Sequence, residues 1–161
     1  MKPAVVNASP LIVLARAGYL DLLPMIFSSV VVPRGVVAEI NAGPAEDPLS
    51  AVLAGAKWLS VVEMEPILSP LATSRLGRGE TEVLEFARSH AGTVAILDDK
   101  AARRAAAMLG VPLVGTLGVL AAAAQGGFLP SFTIGVEAVV RAGLYVDPAV
   151  VLELAARLRT P

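Results

Sequence analysis

Thr-Val-Ala-Ile-Leu (93–97) decides the fold of this chain, because the run carries no charge and ends directly at Asp98 and Asp99. A charge-free run of β-branched and aliphatic residues preceded by Gly92 is typical of a strand buried on both faces of a sheet. Such strands occur in parallel sheets, whose carboxyl ends open onto the ligand crevice. The two adjacent carboxylates therefore stand at a candidate metal or acid/base site.

Further short apolar runs alternate with helical patterns, and this alternation predicts βαβ units in an α/β fold. They cover Ala4–Val6, Val30–Val32, Trp58–Val62 and Val111–Val114. We therefore predict a central parallel sheet of four to five strands. No break in composition marks a second domain, so residues 1–161 are expected to form a single domain with a C-terminal helical extension at about 130–161.

Composition narrows the chemistry that the chain can support. Hydrophobic residues make up 55% of the 161 residues and charged residues 17%, with a net charge of −1. Nucleic-acid binding would therefore need a local basic patch, since the molecule as a whole is not polycationic. The chain has no cysteine and one histidine, which rules out disulfides, thiolate metal sites and multi-histidine sites, and fits a cytoplasmic location.

Residues 105–136 include no charged side chain, and the run is long enough by count to cross a bilayer. Glycines and a proline interrupt it, at Gly110, Pro112, Gly115, Gly118 and the Gly126-Gly127 pair. These breaks favour several short elements over one long helix. We therefore expect no membrane association.

Polar residues follow the first predicted strand at Asn7 and Ser9. Ser9 and Pro10 are typical of a helix start, as an N-cap followed by proline at the first helical position. Asn7 has two interpretations. It is a turn or capping residue, or it faces the crevice with Ser9, beside the aspartates.

Two glutamates stand close to predicted buried helix faces. Glu39 falls beside the apolar stripe of its helix, so it either extends to solvent or faces the site. Glu80 precedes the apolar residues of its own helix at helical spacing, so we expect it on the same buried face of the helix as those residues. Capping of the helix start is the alternative role for Glu80. Glu82 and Glu85 are expected on the solvated face of that helix.

One aspartate of the Asp98-Asp99 pair is expected to cap the helix that begins near Lys100, which leaves the other carboxylate surplus to local structure. The candidates together are one amide and three or more carboxylates around one sheet edge. Oxygen ligands without histidine or cysteine favour Mg²⁺ or Mn²⁺, ions that activate water and stabilise charge at a phosphodiester. Candidate contacts to backbone phosphates are Arg34, Arg78, Lys100 and Arg103.

The sequence resembles the PIN-domain superfamily of metal-dependent nucleases, in a prokaryotic branch with Ser-Pro-Leu after the first strand. Five stretches carry the resemblance, in order along most of the chain. They are VVNASPLI (5–12), VPRGVVAEI (32–40), LGRGETE (76–82), ILDDKAARR (96–104) and VGTLGVL (114–120).

The resemblance implies a three-layer α/β/α sandwich and cleavage of single-stranded RNA with one or two Mg²⁺ or Mn²⁺ ions. By position, the family's first acidic site falls on Asn7, its second on Glu39 and its third on Glu80. The fourth falls on Asp98 or Asp99, with Asp99 preferred because it begins the helix. These five residues are the implied metal ligands, and the four carboxylates are the implied catalytic groups.

The resemblance also matches Ser9 and Thr116 to polar positions near the pocket, where they would hold a ligand water. Asn7 departs from most catalytic PIN domains, which have aspartate there. An amide oxygen ligates hard cations but brings no negative charge.

Two functions follow as expectations. The first is a metal-dependent ribonuclease that is the toxin of a type II toxin–antitoxin pair. The second is a catalytically weak or inactive PIN-like module that binds nucleic acid or protein. We also expect a homodimer, with helices in 132–159 as the interface for a second copy or an antitoxin, because so apolar a chain leaves apolar surface outside.

Overall fold

The fold is known from a computed structural model that describes residues 1–43, 49–65 and 76–159. Five strands form one sheet in the order β3-β2-β1-β4-β5, and every neighbouring pair is parallel. The predicted parallel sheet is therefore confirmed. The strands are β1 (Ala4–Val6), β2 (Val30–Pro33), β3 (Leu59–Val62), β4 (Val94–Ile96) and β5 (Leu113–Val114).

Helices connect the strands and give the predicted three-layer α/β/α architecture. Before β4 the described helices are α1 (Ala8–Arg16), α2 (Leu22–Ile26), α3 (Arg34–Asn41), α4 (Leu49–Gly55) and α5 (Arg78–Ser89). After β4 they are α6 (Lys100–Met108), α7 (Thr116–Gln125), α8 (Phe132–Arg141) and α9 (Pro148–Arg159). Among the described residues, every helix is too short or too polar to cross a bilayer.

The central strands are buried on both faces, as their charge-free sequences require. Each residue of β1 is at most 1% exposed, and Ala95 and Ile96 of β4 are fully buried. Helices cover both faces of a parallel sheet, so alternation of polar and apolar residues disappears. Gly92, just before β4, has φ +84°, a conformation that side-chain-bearing residues rarely adopt.

The strand order places a topological switch between β1 and β4. The chain runs outward from β1 through β2 to β3, and then returns to pair β4 with the other side of β1. In open α/β sheets a ligand crevice forms at the carboxyl ends of the strands on either side of such a switch. Asn7 follows β1 and Asp98 lies just beyond β4, so both residues stand at this crevice.

Helix α5 packs against β1, β2 and β4, and it also packs against α3. This arrangement brings the start of α5 and the body of α3 to one region of the fold. At the other end of the chain, α7 packs against α2, α8 and α9. Helix α2 was not predicted from the sequence, because its five residues are too few for a hydrophobic period to be recognised.

Candidate metal centre

Asn7 is a buried polar residue with an unsatisfied side chain. It is 5% exposed, and its backbone amide donates to the carbonyl of Ile96 at 3.1 Å. Helix α1 begins at Ala8, so Asn7 occupies the N-cap position predicted for Ser9, but its side chain makes no capping bond. Its Oδ1 finds no hydrogen-bond partner among the described residues. Buried polar atoms are nearly always paired, so this oxygen is available to a ligand.

Glu39 and Glu80 are brought together from two helices. Glu39, on α3, is exposed and accepts the amide of Gly79 through Oε1 at 2.7 Å. Glu80 is half-buried, and its Oε2 accepts the amide of Gly77 at the start of its own helix at 2.8 Å. A Cβ on Gly77 would lie 3.3 Å from Glu80 Oε2 and 3.7 Å from Glu39 Oε1, so the two carboxylates are neighbours.

Glu82 is not the solvated residue that the sequence predicted. It is 5% exposed, and its Oε2 accepts the amide of Gly35 at the start of α3 at 2.7 Å. Its Oε1 accepts from Nε of Arg78, also at 2.7 Å. The prediction failed because helical spacing assigns residues to faces but does not show that α3 covers this face of α5. The expectation for Glu85 is also only partly right, since its side chain is 16% exposed and pairs with Arg88.

A pattern in the sequence would have pointed to Glu82. The dipeptide Arg-Gly occurs at 34–35 and again at 78–79, at the start of α3 and of α5, and a glutamate follows each about one turn later. In the structure each of the two glycine amides donates to the glutamate of the other helix. Hydrogen bonds to charged groups contribute about 1.5–3 kcal/mol, and of these two the bond to Glu82 is the buried one.

Two of the four cations predicted to contact phosphate are already engaged in ion pairs. Arg34 pairs with Glu63, and both side chains are more than half exposed. Arg78 pairs with Glu82, and this hydrogen bond and the negative charge of Glu82 raise the pKa of the Arg78 guanidinium. A glutamate carboxylate therefore lies beside each of these two arginines.

The two adjacent aspartates have different partners. Asp99 is exposed, and its Oδ1 accepts the amides of Ala101 and Ala102 at 2.8 Å each, so it is the residue that caps α6. Asp98 is half-buried and bonds to Thr116 at the start of α7. Its Oδ1 accepts the Thr116 amide at 2.8 Å, and its Oδ2 accepts the Thr116 hydroxyl at 2.6 Å. Asp98 is therefore the aspartate of the pair that does not cap α6.

Asp98, Lys100 and Arg103 line one cavity of about 490 Å³ between the end of the sheet and α9. Arg103 is exposed, but one guanidinium nitrogen donates to the carbonyl of Leu97 at 3.1 Å, which fixes it beside the strand end. A Cβ on Gly115 would lie 2.9 Å from this Arg103 nitrogen and 3.0 Å from Asp98 Oδ1. The absence of a side chain at Gly115 thus allows the Arg103 guanidinium and the Asp98 carboxylate both to lie against this glycine.

The model of a PIN-domain family matches residues 3–159, nearly the whole chain and including both C-terminal helices. The chain belongs to the PIN-domain superfamily. The resemblance in the five sequence stretches is thereby confirmed. No curated protein and no solved structure matches the chain. PIN domains are nucleases as a class, bind nucleic acid, and generally use divalent metal ions.

The donor atoms of this PIN domain suit a hard divalent cation in kind, since they are carboxylate and amide oxygens. The structure brings these oxygens together only in pairs. Glu39 lies beside Glu80, and Asn7 and Asp98 lie at neighbouring strand ends, but within the described ranges no group of three or more acidic or histidine side chains surrounds one point. Ser9 is exposed in the first turn of α1, and Thr116 is fully buried against Asp98.

Proposed function

We propose that this PIN domain is a ribonuclease that cleaves phosphodiesters of single-stranded RNA with Mg²⁺ or Mn²⁺. The observation that carries the proposal is the unpaired Oδ1 of Asn7, buried at the end of the central strand. Buried oxygens are nearly always hydrogen-bonded, so an oxygen without a hydrogen-bond partner beside the topological switch is free to coordinate a cation.

The proposed ligands are Asn7, Glu39, Glu80 and Asp98, with Asp99 as the alternative to Asp98. A bound Mg²⁺ or Mn²⁺ supplies Lewis-acid polarisation of the phosphate and a water of lowered pKa. The residues themselves hold the donor oxygens in place through their backbone partners. In Glu39 and in Glu80, one carboxylate oxygen accepts a hydrogen bond from a backbone amide. The other oxygen has no hydrogen-bond partner among the described residues.

We favour Asp98 over Asp99, which reverses the preference drawn from the resemblance. Asp99 already satisfies two amides with one oxygen and faces solvent. Both oxygens of Asp98 are oriented by Thr116, and each retains a lone pair, since a carboxylate accepts about four hydrogen bonds in all. A ligand held in this way loses little freedom when it binds.

Lys100 and Arg103 are the proposed contacts to the RNA backbone, because they line the cavity that Asp98 also lines. Arg34 and Arg78 are weaker candidates, since their charges are compensated by Glu63 and Glu82. Aromatic residues make up only 4% of the chain, so extensive base stacking is not expected.

The test is cleavage of a labelled single-stranded RNA with Mn²⁺, compared with double-stranded RNA and single-stranded DNA. Glu39→Gln, Glu80→Gln and Asp98→Asn keep a hydrogen-bond acceptor and remove a charge, and each should lower the rate more than about 100-fold, beyond the loss typical of groups that only support a ligand. Glu85→Gln is the matched control on α5. Cleavage that persists in chelator, or in all three variants, refutes the proposal.

A second candidate function is a binding module without catalysis, and the neutral side chain of Asn7 favours it. Replacement of a carboxylate by an amide removes one negative charge from the ligand set. Calorimetric titration separates the two functions. RNA affinity without Mn²⁺ binding at millimolar concentration would support the module and count against the nuclease.

We further propose that the nuclease is a toxin whose antitoxin, or a second copy of the chain, binds the C-terminal helices. Exposed apolar side chains there support this, among them Ile134, Val140 and Leu152. Growth arrest on expression, relieved by the product of a neighbouring gene, tests the toxin role. A solution mass equal to one chain at micromolar concentration would exclude the homodimer.

A further inference from the structure

Helices α3 and α5 exchange hydrogen bonds in both directions. The carboxylate of Glu82, on α5, accepts the amide of Gly35 on α3, and the carboxylate of Glu39, on α3, accepts the amide of Gly79 on α5. Along α3 the order is Gly35 then Glu39, whereas the facing residues on α5 run Glu82 then Gly79. The two helices therefore run in opposite directions where they meet, and any sliding of one along the other breaks both bonds.

The two halves of this exchange differ in burial. Glu82 is 5% exposed and has two partners, the Gly35 amide and the Arg78 guanidinium, both at 2.7 Å. Glu39 is exposed and has one bond, to Gly79. The buried half is harder to break, because an unpaired carboxylate in that position would lose its solvation without compensation. Glu82 is therefore the more firmly held of the two carboxylates. The position of Glu39 depends on the packing of α3 against α5, which Glu82 stabilises.

Both glycines are required by this contact. A Cβ on Gly35 would lie 2.5 Å from Glu82 Oε2, and a Cβ on Gly79 would lie 2.6 Å from Glu39 Oε2. Such distances are shorter than any ordinary contact, so each carboxylate occupies the space that a side chain would fill. Glycine at both positions thus leaves room for a glutamate carboxylate to reach the backbone amide.

We propose that Glu82 is a positioning residue of the metal centre: by holding the Gly35 amide it fixes α3 against α5 and so keeps Glu39 beside Glu80. This inference rests on the proposed function, in which Glu39 and Glu80 are ligands. Glu82 itself does not contact the metal. It acts indirectly, by holding the start of α3. Residues that orient metal ligands without contacting the metal commonly change metal affinity.

Two conservative substitutions separate positioning from charge. Glu82→Gln keeps the length and an acceptor oxygen for Gly35 but loses the charge. Glu82→Asp keeps the charge but is one methylene shorter and cannot reach the amide from the same backbone position. Positioning predicts that Mn²⁺ affinity, measured by calorimetry, falls about 10-fold or more in Glu82→Asp and less than about threefold in Glu82→Gln. The opposite order would mean that the charge of Glu82 acts directly, and would overturn the proposal.

Amide hydrogen exchange in the metal-free protein gives an independent measurement. Glu82→Asp should raise the exchange rate at Gly79, which is bonded to Glu39, and Glu82→Gln should leave it near the native rate. Glu85→Asp, on the same helix but paired with Arg88, is the matched control and should change neither quantity. Unchanged exchange at Gly79 in a folded Glu82→Asp variant overturns the proposal.

The two measurements also distinguish this inference from the proposed function. If the native protein binds no Mn²⁺, the metal centre fails while exchange at Gly79 still reports whether Glu82 holds Glu39 in place. If the native protein binds Mn²⁺ and Glu82→Asp binds it equally well, the metal centre stands and the positioning role fails. Should Glu82→Asp not fold, Glu82→Gln decides alone, since a large loss of Mn²⁺ affinity with native exchange contradicts positioning.

Discussion

Asp98 and Thr116 are joined by two hydrogen bonds, from the Thr116 amide at 2.8 Å and from its hydroxyl at 2.6 Å. The two residues are 18 positions apart and belong to the ends of neighbouring strands, β4 and β5. Thr116 is fully buried, so the hydroxyl has no competing water. The carboxylate that we favour as a ligand is therefore held at the sheet edge by both the amide and the hydroxyl of one buried residue.

Thr116→Val should weaken this support without changing the shape of the core. The hydroxyl bond to Asp98 is lost and the amide bond remains, so we expect a loss of stability of about 1–2 kcal/mol and a fall in Mn²⁺ affinity of about 10-fold. Urea denaturation and calorimetry measure the two effects. Thr116→Ser keeps the hydroxyl and is the control. Equal Mn²⁺ affinity in both variants would show that the orientation of Asp98 is irrelevant.

Asn7→Asp tests whether the buried amide oxygen faces a cation. Without metal, the new carboxylate is buried and unpaired, and the protein should lose about 1–3 kcal/mol of stability or more. With millimolar Mn²⁺ the loss should be recovered, since a ligand that binds only the folded state stabilises it. Thermal unfolding with and without Mn²⁺ measures this difference. Asn7→Ala is the control, and Mn²⁺ should raise its unfolding temperature less than it raises that of Asn7→Asp.

Three glycine-to-alanine variants should rank in order of what their new Cβ meets. Gly35→Ala presses on the buried Glu82 carboxylate, which cannot withdraw, and should cost about 1–3 kcal/mol. Gly79→Ala presses on Glu39, which is exposed and can swing away, so it should cost less. Gly55→Ala meets nothing within 4 Å and should be neutral or slightly stabilising. Urea denaturation gives the ranking, and equal values for all three would contradict it.

Asp99→Ala should destabilise the protein by about 0.5–2 kcal/mol, because it removes the cap of two α6 amides. Asp99→Asn keeps an acceptor and should restore most of that stability. RNA cleavage by the stable Asp99→Asn variant then reports on catalysis alone. We expect it to stay within about threefold of the native rate, whereas Asp98→Asn loses more than about 100-fold. The reverse result would return the ligand role to Asp99.

Arg103→Gln should weaken RNA binding and reduce its dependence on salt. Loss of one phosphate contact lowers the slope of log K against log salt by about 0.7 for a single strand. Fluorescence anisotropy at several salt concentrations measures this slope. Arg141→Gln is the control, because Arg141 is an exposed arginine at the end of α8 and does not line the cavity. An unchanged slope for Arg103→Gln would remove Arg103 from the RNA-binding surface.

Much of the fold could be predicted from local sequence, because its signals lie within single elements. The apolar run that ends at Leu97 gives a buried strand, and one aspartate of the pair that follows it gives a cap for α6. Helix α9 begins at Pro148, and Asp147 Oδ1 accepts the amide of Ala149 at 2.9 Å, which is the local pattern of an acidic cap followed by proline. Each of these depends on residues a few positions apart, whose relative placement is set by backbone geometry alone.

What could not be predicted depends on residues far apart in the chain. The bond from Gly35 to Glu82 spans 47 positions, and the bond from Gly79 to Glu39 spans 40. Helical spacing put Glu82 on a polar face of α5, but only the packing of α3 against α5 made that face an interior one. Likewise, the resemblance preferred Asp99 over Asp98 for the fourth site, and only the position of Thr116 opposite Asp98 changed that preference.

The sequence by itself therefore determined that this chain forms a buried parallel sheet with acidic residues at its carboxyl edge, since strand burial and capping are local properties. Only the tertiary structure decided which carboxylates have partners and which oxygens remain unused. The physical reason is that a buried carboxylate or amide is satisfied by whatever amide or hydroxyl stands opposite it, and the packing of helices and strands sets that neighbour.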